Sequence, residues 1–240
     1  MTKRIKYNLT VAITAALLAS SLQANAFTTS VTGGPTSFQA GALNINFGTG
    51  VATNAGPVAG AGSGADLIFS GSGGGVSYDY HGGALYNLAT SPISGVTARP
   101  VGSVGNFHSV GTSPTAQTGP ADVQFSSGLS YFGFLWGSPD AYNTVNFYNG
   151  QSLLGSFTGA AVLMPPNGDQ TFSAYFNAFA GPNEQITRVT FSSTNNALET
   201  DNHAYIAAIP EPETYAMMLA GLGLLGFAAR RRKLKEAAAA

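Results

Sequence analysis

The sequence feature that most constrains the fold is a series of short runs in which apolar and polar residues alternate. Residues 43–47 and 76–80 alternate in this way, which is the pattern of strands with one buried face. The strongest hairpin pattern joins residues 144–148 to residues 151–157 through Asn149-Gly150, because Asn-Gly accepts the two positive φ values of a type I′ turn. These runs predict antiparallel strands joined by tight turns.

Similar runs, punctuated by glycine, proline and asparagine, extend over most of the chain between residues 27 and 208. No segment in that range sustains the period of a helix. Residues 41–83 are rich in glycine, which predicts loops and weak strand pairing there. We therefore predict an all-β domain over residues 27–208, an antiparallel β-sandwich of the jelly-roll type. Further strands are predicted at residues 122–125, 129–136, 171–179, 185–192 and 203–207.

The first 26 residues have the three parts of an export signal. Positive charges at residues 3–6 precede the apolar residues 9–18, and Ala24 and Ala26 occupy the two positions that signal peptidase reads. A retained anchor helix is the alternative, but the apolar run is shorter than the roughly 20 residues that a membrane span needs. The pattern predicts cleavage by signal peptidase and a mature chain that starts at Phe27.

The other end of the chain combines two prolines, an apolar stretch and a basic cluster. Pro210 and Pro212 flank Glu211, lack backbone donors and fix φ, so a strand must end there. Residues 214–229 can form a helix about 24 Å long, somewhat short of a hydrocarbon core of about 30 Å. A helix of the protein core is the alternative, but cations directly after the stretch are typical of the cytoplasmic side of a membrane span. These cations are Arg230, Arg231, Arg232, Lys233 and Lys235.

This order of proline triplet, short Gly- and Leu-rich helix and arginine cluster resembles the C-terminal sorting signal of PEP-CTERM proteins. The resemblance covers residues 209–233 and leaves a tail at residues 234–240, whereas such signals usually finish just after the arginines. It implies processing by exosortase, a membrane-embedded cysteine protease of Gram-negative bacteria that usually also make exopolysaccharide. It further implies a transient inner-membrane anchor and a mature form at the cell surface or in the extracellular matrix.

The charge distribution excludes one class of partner. Between residues 27 and 209 the basic residues are Arg99 and Arg188, against eight carboxylates, which gives this region a formal charge of −6. Nucleic-acid binding depends on Lys and Arg contacts to phosphate, so we expect no nucleic-acid partner. The chain has no cysteine, and its exported domain therefore contains no disulfide.

Two polar segments, residues 136–143 and 196–202, carry the candidate binding residues. In the first, Asp140 and Asn143 are expected to close Asx turns. The second resembles an ending found in many exosortase-dependent surface proteins, and carboxylates near such strand ends in related jelly rolls sometimes hold calcium. Calcium prefers carboxylate and amide oxygens. The candidate calcium ligands are Glu199, Asp201 and Asn202.

Several other patterns lack the context that their chemistry needs. Residues 60–65 fit a dinucleotide loop, but the strand before it and the helix after it are missing. His81, His108 and His203 have no compact ligand spacing, so we interpret them as surface or packing residues. The sequence also has no G-x-S-x-G or H-E-x-x-H motif and no cysteine nucleophile.

The sequence therefore favours a non-enzymatic cell-surface or extracellular-matrix protein whose sandwich binds or structures exopolysaccharide or other components of a biofilm matrix. A secreted hydrolase of polysaccharide or protein is the alternative. Glu199 and Asp201 lie two residues apart, which places both carboxylates on one face of a strand, and paired carboxylates are the groups that glycosidases use.

Overall fold

The computed structural model describes residues 26–45, 47, 51–53, 68–86, 92, 94–111, 120–209 and 212–237. Within these residues, antiparallel pairing joins thirteen strands, and one long helix, α1 (Pro212–Ala237), follows them. The strands are β1 (Thr28–Thr32), β2 (Leu43–Asn44), β3 (Val51–Thr53), β4 (Ile68–Gly73), β5 (Val76–His81), β6 (Ala84–Tyr86), β7 (Phe107–Val110), β8 (Ala121–Gly137), β9 (Asn143–Asn149), β10 (Ser152–Thr158), β11 (Ser173–Phe179), β12 (Ile186–Ser193) and β13 (Leu198–Ala207).

Strand β8 organises the domain because its two halves pair with different neighbours. Residues 121–125 lie between β5 and β12, whereas residues 129–137 lie between β11 and β13. The first half therefore joins the strand group β3-β4-β5-β8-β12-β9-β10, and the second half joins the group β1-β11-β8-β13-β7-β6. One strand of 17 residues thus connects both groups.

Aromatic side chains from the two strand groups pack against one another and form the core. The ring of Phe147 on β9 stacks on Phe176 of β11 at 6.0 Å, and Phe191 on β12 meets Phe134 of β8 edge-on at 5.5 Å. All four side chains are buried. Aromatic pairs of this geometry contribute beyond their buried area. The all-β antiparallel prediction is confirmed, and the finer jelly-roll sandwich stays a prediction.

Most strands predicted from alternation are present, with some different bounds. The segments predicted at residues 122–125 and 129–136 form one continuous strand, because the polar residues between them remain extended while β8 changes partners. Strand β13 begins at Leu198, five residues before its predicted start, and thereby includes the second candidate binding segment. The glycine-rich region also pairs more than expected, since β4 and β5 form a hairpin with six residue pairs.

The hairpin of β9 and β10 is present, but the predicted turn type is wrong. Asn149 pairs with Ser152, so the central turn residues are Gly150 and Gln151. Gly150 has φ +58°, and neither Asn149 nor Gln151 has a positive φ. Positive φ at the first central position alone is the pattern of a type II′ turn, which glycine favours.

The residue predicted to begin the mature chain, Phe27, packs against the core. Ala26 is exposed, whereas Phe27 is half-buried and its ring lies 5.2 Å from that of Phe147 and 6.1 Å from that of Phe157. Ala24 and the rest of the predicted signal peptide lie outside the described residues.

Candidate functional site

The three residues predicted to bind calcium lie on β13, but their side chains have different partners. Glu199 contacts Ser138 and the backbone of Ala98, whereas the Asp201 carboxylate accepts a hydrogen bond of 2.5 Å from Ser103 Oγ. The Asn202 side chain donates to the carbonyl of Pro35 at 2.6 Å. Among the described residues, no group of three or more His, Cys, Asp or Glu side chains is placed to hold a metal ion. The calcium site stays a prediction.

Glu199 is a buried carboxyl group surrounded by hydrogen-bond donors. Its Oε1 accepts from the Ala98 amide at 2.9 Å and from Thr97 Oγ1 at 3.3 Å, and its Oε2 accepts from Ser138 Oγ at 2.7 Å. Burial disfavours the charged form and raises the pKa of Glu199 to about 8, although these three donors act in the opposite direction and Asp140 adds a smaller increase. The side chain is therefore mainly protonated at neutral pH.

Asp201 occupies a second buried position on the same strand face. Burial raises its pKa to about 6, while the hydrogen bond from Ser103 and the positive charge of Arg99 act to lower that pKa. The Arg99 guanidinium also lies 5.5 Å from the ring centre of Phe107. Both carboxylates of the predicted pair thus belong to the protein interior.

A polar cleft of about 190 Å³ lies where Glu199 meets the loops at one end of the strands. Four loop segments form it: residues 138–142 after β8, residues 167–170 before β11, residues 95–97, and residues 196–197 before β13. The lining residues are Gly95, Val96, Thr97, Ser138, Asp140, Tyr142, Asn167, Gly168, Gln170, Asn196, Ala197 and Glu199.

The two polar segments that the sequence singled out meet at this cleft. Gly137 of the first pairs with Glu199 of the second, because β8 and β13 are antiparallel neighbours. The first segment thereby contributes Asp140 and Tyr142 to the cleft, and the second contributes Asn196 and Glu199. The sequence could identify the segments by composition, but their proximity depends on strand pairing that it does not specify.

The buried side chain of Asn143 links the loops that form the cleft. Its Oδ1 accepts from the Asp140 amide at 2.8 Å, and its Nδ2 donates to Ser193 Oγ and to the Ala197 carbonyl, each at 3.1 Å. The Asx-turn expectation is therefore wrong for Asn143, since a buried amide that links loops can satisfy more partners than a local turn would offer.

Asp140 and Tyr142 form a half-buried polar part of the cleft. The Asp140 carboxylate lies against Gly168, where a methyl group would approach Oδ2 to 2.5 Å. Tyr142 donates its hydroxyl to the Asn196 carbonyl at 3.0 Å. Burial raises the pKa of Tyr142, and the neighbouring Asp140 carboxylate raises it further, so the phenol stays neutral and can donate a hydrogen bond.

The histidines lie apart from the cleft. His81 is exposed, whereas His108 and His203 are fully buried and linked through Thr200 Oγ1, at 3.5 Å and 2.9 Å respectively. His108 Nε2 faces the Gly82 carbonyl and must donate to it, which makes its Nδ1 an acceptor for Thr200. Thr200 then accepts from His203 Nε2, and His203 Nδ1 accepts from the Tyr80 hydroxyl at 2.7 Å. Burial lowers the pKa of both histidines, in agreement with this neutral packing role.

The candidate sorting residues are described only in part. Pro212 is the first residue of α1, and Arg230 and Arg231 are exposed on that helix. Arg232 lies in the helix without a described side chain, and Pro210 and Glu211 fall outside the described residues, as do residues 60–65. In the described part of the chain, no helix combines the length and the apolar character required to cross a membrane.

Helix α1 differs in extent from the helix that the sequence predicted. It continues through the arginines to Ala237, whereas the apolar stretch covers residues 214–229. Its large apolar side chains at Leu219, Leu224 and Phe227 are well exposed.

Comparison with known protein families gives a match at the C-terminal part of the chain. No curated protein and no solved structure matches the chain. Residues 208–233 match the family model of the PEP-CTERM protein-sorting motif. The chain therefore carries a PEP-CTERM sorting motif, which implies an exported, surface-sorted protein that exosortase processes and that associates with a membrane.

Proposed function

We propose that this chain is a non-enzymatic surface or extracellular-matrix protein that binds exopolysaccharide after exosortase releases it from a transient inner-membrane anchor. The sorting motif at residues 208–233 is the observation that carries the proposal. Signal peptidase removes residues 1–26 in this scheme, and the domain of residues 27–208 is what reaches the matrix.

The exposed apolar side chains of α1 support the anchoring step. Leucines and Phe227 lie on several sides of the helix, and a helix that is apolar all round is suited to lipid rather than water. Arg230 and Arg231 follow directly and favour the cytoplasmic side. Residues 214–229 therefore serve as a temporary anchor until the chain is cut near residues 210–212.

The polar cleft supports a binding role for the domain. The cleft is lined by residues with carboxyl and amide groups and by Tyr142. The hydroxyl groups of a glycan require hydrogen-bond partners of these kinds. Both carboxyl oxygens of Glu199 already have hydrogen-bond partners within the protein. This arrangement supports a structural role, in which Glu199 orients Ser138 and the loop that contains Thr97, over a role in catalysis.

One observation favours the hydrolase alternative. The raised pKa of Glu199 beside the Asp140 carboxylate resembles the division of roles between an acid and a base in glycosidases. In that case Glu199 would pair with Asp140, with which it shares the cleft, rather than with Asp201 as the sequence suggested.

Two measurements test the proposed function. Mature protein purified from an exosortase-containing Gram-negative host is incubated with the exopolysaccharide of that host, and we expect retention in a pull-down. Absence of retention would contradict the binding role. A screen over glycan and peptide substrates forms the second measurement, in which turnover that is lost in Glu199→Gln would establish the hydrolase instead.

A further inference from the structure

The cleft has the size and lining of a site for a single sugar unit. Its volume of about 190 Å³ corresponds to roughly six water molecules of liquid, and it is smaller than typical pockets for drug-sized ligands. Asn167 and Gln170 line it from one loop, and Tyr142 lines it from another. A tyrosine offers both an apolar ring face and a hydroxyl, as a sugar ring requires.

The charge of the cleft narrows the class of sugar. Asp140 and Glu199 are the acidic residues that line the cleft, and its described lining contains no lysine or arginine. Glu199 keeps its proton at neutral pH because burial raises its pKa to about 8. The half-buried Asp140 carboxylate therefore gives the cleft its negative charge. This charge repels the carboxylates of uronic acids and attracts a cationic group.

We propose that the cleft binds a sugar unit that carries a protonated amine, and that Asp140 accepts the hydrogen bond of the ammonium group. This inference rests on the proposed polysaccharide binding and specifies its site and sugar class. Asn167, Gln170 and Tyr142 contact the ring hydroxyls and the ring face. Gly168 leaves room for the Asp140 carboxylate, because any larger residue would occupy the space in which the carboxylate lies.

Calorimetric titration of the mature, exosortase-processed protein tests this proposal with three defined oligosaccharides. The probes are tetramers of glucosamine, of N-acetylglucosamine and of an uronic acid, each with and without a calcium chelator. We expect the glucosamine tetramer to bind about tenfold more tightly than the acetylated one, since a charge-assisted hydrogen bond contributes that much. We expect no binding of the uronic acid tetramer and no effect of the chelator.

Two variants and one control assign the effect to the cleft. Asp140→Asn preserves size and should remove the tenfold preference, and Gln170→Trp should block both glucosamine and N-acetylglucosamine tetramers by filling the cleft from its exposed rim. Asp169→Asn is the control, because Asp169 carries the same charge on the same loop without lining the cleft, and its hydrogen bonds go to Thr171. Unchanged near-ultraviolet circular dichroism verifies the fold of each variant.

The outcomes separate this inference from the proposed function. Equal affinity for the amine and acetylated tetramers, an unchanged preference in Asp140→Asn, or loss of binding with the chelator would overturn the inference. If the exopolysaccharide is retained equally by wild type, Asp140→Asn and Gln170→Trp, binding occurs at another surface and only the cleft assignment fails. If wild type retains no glycan of any kind, the proposed function fails as well.

Discussion

Replacing Glu199 by glutamine should remove most of the pH dependence of stability between pH 6.5 and pH 8. Burial raises the pKa of Glu199 from its ordinary value of 4.5 to about 8. Between these two values the folded protein holds a proton that the unfolded chain has lost. The contribution of this group to stability is therefore complete below pH 4.5 and is lost as the pH rises through about 8.

The magnitude follows from the width of that interval. Each pH unit within it lowers the free energy of unfolding by about 1.4 kcal/mol, so the wild type should lose about 2 kcal/mol between pH 6.5 and pH 8. For a domain of this size that loss corresponds to a decrease in Tm of roughly 4 to 8 °C. Asp201, whose pKa is raised to about 6, titrates below this window. Burial lowers the pKa of His108 and His203 from 6.5, so near pH 6.5 these histidines contribute a smaller change of about 1 kcal/mol or less in the opposite direction.

Thermal unfolding followed by circular dichroism at half-unit steps of pH measures the effect. Glutamine retains the shape of the protonated carboxyl group and can still accept from the Ala98 amide. Glu184→Gln is the matched control, because Glu184 accepts a backbone hydrogen bond from Gly181 outside the cleft. We expect a nearly flat Tm in Glu199→Gln and the wild-type decrease in Glu184→Gln. A Glu199→Gln curve parallel to that of the wild type would refute the buried, protonated state.

Four further predictions concern the core, the cleft and the two processing steps. Thr200→Val should lower the free energy of unfolding in urea by about 3 kcal/mol, because both buried histidines lose a hydrogen-bond partner; a loss below about 1 kcal/mol would contradict the network. Gly168→Ala should destabilise the fold by about 1 to 3 kcal/mol, since φ is +66° and the methyl group meets the Asp140 carboxylate; an unchanged Tm would show that the loop relaxes freely. N-terminal sequencing of the surface form should begin at Phe27, and a start at Met1 would show a retained anchor. Alanine substitution of residues 210–212 should leave an exported but uncleaved protein in the membrane fraction, whereas release at the wild-type rate would make the triplet a mere linker.

Local alternation was sufficient to predict most of the strands but not their extent. The pattern within residues 122–136 is interrupted by Ser126, Ser127 and Gly128, and the sequence alone favours a turn there. The structure keeps the segment extended because β5 and β12 pair with its first half and β11 and β13 with its second. Pairing with strands that are distant in the sequence therefore determines the conformation of this segment, which local propensity leaves ambiguous.

The environment of the carboxylates could not be read from the sequence. The two-residue spacing of Glu199 and Asp201 correctly predicted that both side chains lie on one face of a strand. It did not predict that this face is buried in the protein interior. Their partners Ser138 and Ser103 are 61 and 98 positions away, so the burial that raises both pKa values arises only from tertiary pairing. The sorting motif was predictable because its three parts are contiguous in the chain.

The central claim, sorting by exosortase, is tested most directly by the C-terminus of the mature protein. Mass spectrometry of the protein collected from the cell surface, compared with the membrane-bound form, identifies the last residue of each. The account predicts that the membrane form retains the basic cluster that includes Arg230 and Arg231, and that the surface form ends near residues 210–212 and lacks this cluster. A surface form that still carries the arginines would contradict removal of the anchor and with it the proposed sorting.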